Sequence, residues 1–195
     1  AEEGAGPQET IDVLAAASVP FVVVPEIYTG DGILEKIKTV GEALGVPASA
    51  DALAEQVAND LQNTAAAVAL QKAEPKRVMF VLSTRGGRIM ASGVDTAAHG
   101  IIEMAGGVNA IDSFSGYKPL SDEAITSAAP DVILMMDRGD HSVADEDLFS
   151  LPAIVTTPAA ETRSVVRMNG LYLLGFGPRT AQAASDLNRY LYGNS

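Results

Sequence analysis

From Ala50 to Lys72 the chain runs without a single Gly or Pro, in a stretch rich in Ala, Leu, Gln, Asp and Glu. Roughly 23 residues at about 1.5 Å each make a helix roughly 35 Å long. That is longer than a crossover within a small domain needs, and it suits a rigid spine joining two lobes. Ser49 stands at the expected N-cap, and Ala73-Glu-Pro-Lys76 breaks the helix.

The two flanks of the spine are unequal. Before it, Thr10 to Ala17 reads as a short helix, Val19-Pro-Phe-Val-Val-Val24 as a buried strand, and Ile33 to Leu44 as a helix with Ile33, Ile37, Val40 and Leu44 at helical spacing. One strand and two helices cannot make a doubly wound sheet, because parallel strands need neighbours on both sides. The first 48 residues therefore look like the remainder of an α/β lobe.

After the spine comes a fuller α/β unit. Strands are expected at Arg77 to Leu82, Asp131 to Met136, Ala153 to Thr156 and Ser164 to Met168. Helices are expected at Thr96 to Ala105, Ser121 to Ala128, Asp145 to Leu151 and Thr180 to Leu191. Alternation of this kind implies a mainly parallel sheet covered on both faces. The expected organisation is two Rossmann-like α/β lobes joined by one long helix: 1–48, an incomplete N-terminal lobe; 49–73, the spine; and 74–195, the C-terminal lobe.

Composition narrows the chemistry. The absence of cysteine excludes disulfides, thiol catalysis and cysteine-based metal sites. A net charge of -12 argues against nucleic acid or an anionic membrane surface as partner. No apolar run is long enough to insert in a membrane, and no signal peptide is visible at Ala1-Glu-Glu-Gly. The two histidines, His99 and His141, have no nucleophile motif around them, and no Walker loop, G-x-G-x-x-G or H-E-x-x-H occurs. Thr84-Arg-Gly-Gly-Arg88 lacks the Gly-Lys-Ser/Thr ending of a phosphate cradle. An enzyme is not supported.

Ligands of open α/β sheets sit beyond the carboxyl ends of the strands. Thr84, Arg85 and Arg88 follow the first strand of the second unit, and Arg138 and His141 follow the Asp131 to Met136 strand. Guanidinium groups there bind carboxylates in bidentate fashion and stack on aromatic faces. Met90, Met135 and Met136 add polarizable thioethers. Apolar surface rimmed by arginines suits a flat amphipathic dianion. Read singly, each arginine is equally a solvated loop residue, and each strand methionine a core residue.

Longer stretches carry a family resemblance. These are Gly4-Ala-Gly-Pro7, Gly32-Ile-Leu-Glu-Lys-Ile37, Gly41-Glu-Ala-Leu-Gly45, Val78-Met-Phe-Val-Leu82, Gly86-Gly-Arg-Ile-Met-Ala-Ser-Gly93, Ala105-Gly-Gly-Val-Asn109, Gly116-Tyr-Lys-Pro-Leu-Ser121, Ala129-Pro-Asp-Val-Ile133 and Leu173-Leu-Gly-Phe-Gly-Pro-Arg-Thr180. Together they resemble the haem-binding periplasmic substrate-binding proteins of ABC importers, HmuT type, over essentially the whole chain. The resemblance implies a periplasmic protein that carries haem between two lobes to a membrane permease. It implies haem contacts from Arg138, Arg85, Thr84, Tyr117, Met136, Tyr28 and His141, and permease docking by Glu123. It also implies a further segment ahead of Ala1 that supplies an axial tyrosine to the iron, so that the chain is N-terminally truncated and its incomplete lobe favours self-association through an open sheet edge. Within the same class, a corrinoid or ferric-siderophore binder is the alternative. From another class the alternative is an α/β hydrolase or transferase fragment, and a third reading is a fragment that binds nothing.

Overall fold

A computed structural model describes residues 6–17, 21–137 and 143–193. Before the sheet come α1 (Gln8–Ala15), α2 (Gly30–Ala43) and α3 (Pro47–Ala69). Then follow β1 (Arg77–Ser83), β2 (Met90–Ser92), α4 (Ala97–Met104), β3 (Val108–Asn109), β4 (Tyr117–Pro119), α5 (Asp122–Ala128), β5 (Val132–Asp137), α6 (Asp145–Ser150), α7 (Pro158–Glu161), β6 (Val165–Asn169), α8 (Gly170–Leu174) and α9 (Thr180–Tyr192).

The sheet runs β4-β2-β1-β5-β6, with β3 paired to the start of β1. Strands β1, β3, β5 and β6 are mutually parallel, and β2 and β4 are antiparallel additions at one edge. The mostly parallel character follows from β1 and β5, whose apolar runs leave no face fit for water. Val78, Phe80, Val132, Leu134, Val166 and Met168 point into one core, shared with residues of α2, α3, α4, α8 and α9. Met79, Val81, Ile133 and Met135 point into the other, with α5, α6 and α7. Period-two alternation of a strand thus assigns each neighbour to an opposite layer.

The long helix forms with the expected length, but it begins earlier. Pro47 occupies its first turn and Val46 precedes it, so Ser49 is a helical residue and not the cap. Proline's missing N–H is harmless at a position where no intrahelical partner exists. At the other end α2 stops where Gly45 takes φ +71, the left-handed conformation that glycine adopts without strain. A side chain on Gly41 would place its Cβ 2.1 Å from the Ala50 Cβ, so α2 and α3 touch almost backbone to backbone there. Polar bonds then fix α3 along α9: Thr64 Oγ1 donates to the Ala181 carbonyl (3.2 Å), and Asn188 Nδ2 donates to Gln71 Oε1 and the Ala105 carbonyl (2.9 Å each).

Two expected strands form no ladder where they are described. Residues 21–23 have no ladder and Val24 makes only a single bridge, and Val22 and Val23 are 41% and 47% exposed; residues 18–20 lie outside the described residues. β-branched composition raises strand propensity, but that preference depends on packing against neighbours, which half-exposed side chains do not supply. Ala153 to Thr156 coils into turns instead, with the Ile154 and Val155 N–H groups both donated to the Leu151 carbonyl (2.9 Å each). Burial of Ala153 and Ile154 is met by that turn without any ladder. Strands β2, β3 and β4 are two or three residues long, too short for a periodicity to register.

Leu134 is fully buried between the layers, whereas Leu171 on α8 is 76% exposed. Leu134→Ala is expected to cost about 2–5 kcal/mol in urea denaturation and Leu171→Ala at most about 0.5 kcal/mol.

Candidate functional site

At the carboxyl end of β1 the chain enters a tight turn over Arg85–Gly87, with Gly86 and Gly87 at φ +64 and +72. Positive φ at two successive positions is what glycine permits, and it aims the flanking arginines outward. Arg85 and Arg88 are exposed and Thr84 is half-buried. β2 then returns beside β1 with Ser83 opposite Met90. At the end of β5, half-buried Met136 lies against Gly170, where an added Cβ would come within 2.9 Å of its sulfur. Arg138 and His141, which follow in sequence, lie outside the described residues.

Tyr117 opens β4, paired with Ser92 of β2. Its ring meets Phe80 edge-on at 6.4 Å between centroids, and the residue is 37% exposed. Burial pushes its phenol above the usual range, opposed by the nearby Ser92 and Thr96 hydroxyls and the Ala98 backbone N–H. Those hydroxyls are themselves 2.6 Å apart, and Thr96 caps α4 by accepting the His99 N–H.

Tyr28 precedes α2 and meets Phe176 edge-on, 5.2 Å between ring centroids. Two glycines allow this approach. A Cβ on Gly100 of α4 would lie 2.4 Å from the Tyr28 carbonyl oxygen, and one on Gly32 would lie 2.3 Å from that of Ile27. Tyr28's phenol is pushed up by burial, then by the charge of Glu26 and by proximity to Tyr117; Lys36 opposes the shift. Glu26 is ion-paired to Lys36, a lysine only 9% exposed.

Tyr28 and Tyr117 are therefore brought near one another. Phe80, Phe176 and Met136 belong to the core beneath them. Glu123 is set apart, exposed in the first turn of α5 on the opposite face of the sheet. Its carboxyl is held below the usual range by its own backbone N–H and the Ser121 hydroxyl. A cavity of about 420 Å³ beside Tyr28 adds Glu26, Thr96, His99 and Glu103, which sequence reading missed. His99 lies 3.5 Å from both Asn109 Nδ2 and Glu103 Oε1. Thr96 had a visible helix-cap signal, while Glu26 and Lys36, ten positions apart, carried none. Among the described residues, no group of three or more His, Cys, Asp or Glu could hold a metal ion. What the arrangement offers is apolar and thioether surface, two phenols and exposed guanidinium groups, a combination suited to a flat ligand with an anionic edge.

Residues 2–170 match the family described as periplasmic binding protein. The chain is 30% identical over 178 residues to a cobalamin-binding protein of Halobacterium salinarum, covering 89% of this chain and 47% of that protein. It thus spans about half the length of the curated relatives it matches. Among solved structures it is similar to the periplasmic heme-binding protein BhuT in complex with two hemes (38% identity, TM-score 0.92, covering 98% of this chain and 73% of that one). It is similar also to the periplasmic heme-binding protein RhuT from Roseiflexus sp. RS-1 (34%, TM-score 0.90, 98% and 74%).

Removing the charge beside Tyr28 lowers its ionisation midpoint, so Glu26→Gln is expected to shift one tyrosine downward in an absorbance titration at alkaline pH. Lys36→Met leaves Glu26 without its cation and is expected to cost about 3–5 kcal/mol in thermal or urea unfolding.

Proposed function

The chain belongs to the periplasmic binding protein family, and we propose that it binds haem outside the cytoplasm and delivers it to the permease of an ABC importer. Its family and its structural neighbours are binding proteins, and the proposed role involves no bond chemistry. The observation that carries the reading is the likeness to the two-haem complex, at 38% identity across 98% of this chain.

In this reading residues 1–48 and 74–195 are the two flanks of a cleft and 49–73 the spine between them. Haem lies against Tyr28, Tyr117 and Met136, with Thr84 and Arg85 at the end of β1 and Arg138 and His141 beyond β5 as its polar contacts. Arginines at that rim supply local positive charge in a chain whose net charge is -12. Glu123, exposed and ionised on the far face of the sheet, is the docking contact for a basic pocket of the permease.

A second reading is supported by the Halobacterium relative, whose ligand is cobalamin. Titrating the chain with haemin and, separately, with cobalamin distinguishes the two. The haem reading predicts a shifted, saturable Soret band and no saturable change in the corrinoid spectrum; the reverse outcome assigns the corrinoid. Arg138→Ala is expected to weaken haemin binding about tenfold, as loss of a charge-assisted contact does. Glu123→Ala is expected to leave haemin affinity unchanged and to reduce uptake in cells that depend on this importer.

A further inference from the structure

Met136 sits where one layer of the core runs out. Along β5 the side chains of Val132, Leu134 and Met136 alternate onto the same face. Val132 and Leu134 are buried there, whereas Met136, the last of the three, is half-buried at the carboxyl end of the strand. Its backbone is held in register with Met168 of β6, so its place is set by the sheet. The first residue of α8 leaves room for the sulfur in particular. An added Cβ at Gly170 would lie 2.9 Å from Met136 Sδ, against 3.4 Å from its Cγ and 3.7 Å from its Cβ. Any side chain at position 170 would thus displace the thioether first.

The other metal-binding side chains described at the site are less available. Glu26 is ion-paired to Lys36. His99 has Asn109 Nδ2 3.5 Å from its Nδ1 and Glu103 Oε1 3.5 Å from its Nε2, so each ring nitrogen already faces a side chain. A tyrosine ligates iron as its phenolate, and burial opposes loss of the proton at both Tyr28 and Tyr117. A thioether is neutral and ligates without losing a proton. It is also a soft donor, and as a haem ligand it raises the reduction potential of the iron.

We propose that Met136 is a ligand to the iron of the bound haem, its sulfur donating a lone pair to the metal and holding the ferrous state more tightly than the ferric. The proposal rests on the haem reading and adds to it the side chain that meets the metal.

The test loads the wild-type chain, Met136→Leu and Met104→Leu with haemin and reduces each electrochemically. Iron K-edge X-ray absorption then reads the atoms bound to the metal, and a potentiometric titration reads the midpoint. Leucine keeps nearly the volume of methionine without its sulfur, and a melting curve for each variant verifies the fold. Met104, half-buried on α4, is the control. A sulfur scatterer at the iron is expected in the wild type and in Met104→Leu, and is expected to be lost in Met136→Leu. The midpoint of Met136→Leu is expected to fall by about 59 mV, the equivalent of a tenfold loss of ferrous over ferric affinity. Haem bound by the wild type without a sulfur scatterer, a sulfur signal that survives in Met136→Leu, or an unchanged midpoint in that variant overturns the proposal and leaves the haem reading standing. Failure of the wild-type chain to bind haemin overturns both.

Discussion

The sheet cannot leave either face to water, and the rest of the molecule follows from that. β1 and β5 carry apolar side chains in both directions, so Phe80 and Leu134 require one cover and Met79 and Ile133 another. On the second side three short helices suffice. On the first side the cover is drawn from distant parts of the chain, including Ile33 and Ile37 of α2 and Val57 of α3. Burial of this kind, at about 25 cal/mol per Å² of apolar area, is what holds residues 26–44 against the sheet.

That seating then places Tyr28 and Glu26. Gly32 and Gly100 let the 26–29 segment approach two helices at distances any side chain would forbid. Tyr28 is thereby held on Phe176, while Glu26 reaches Lys36. On the other side, the β2–β4 pairing fixes Tyr117 over Phe80. Neither tyrosine depends on a flexible loop for its position. Bonds from α9 to α3 and to the end of α4 tie the long helix to the sheet layer, an arrangement that resists large hinge motion about it.

Much of this was legible from residue order. The helical spacing of Ile33 and Ile37, the start of a helix at Thr96, the apolar runs at Val78 and Val132 and the length of the long helix all reflect local rules that the structure keeps. The departures have physical causes. Pro47 starts α3 ahead of the better-known cap residue Ser49, because a proline's fixed φ suits a first turn. Val22 and Val23 read as strand but stay largely in water outside any ladder, and Ile154 is buried by a turn. Arg85 and Arg88 after β1 and Met136 near the end of β5 were visible as residues at strand ends. The Glu26–Lys36–Tyr28 linkage was not, since it depends on how a segment folds back across α2. Tyr117 was visible as a residue, but its place in a three-residue strand was below the reach of any periodicity.

The central claim is that the ligand lies at the carboxyl ends of β1 and β5 between Tyr28 and Tyr117. High-spin ferric haem broadens nearby nuclear resonances, so a backbone amide spectrum recorded during haemin addition locates it directly. The account predicts selective broadening at Tyr28, Thr84, Tyr117 and Met136, with the amides of α5 and of the α3–α9 groove unaffected. Broadening centred on that groove, or spread evenly over the surface, would contradict it.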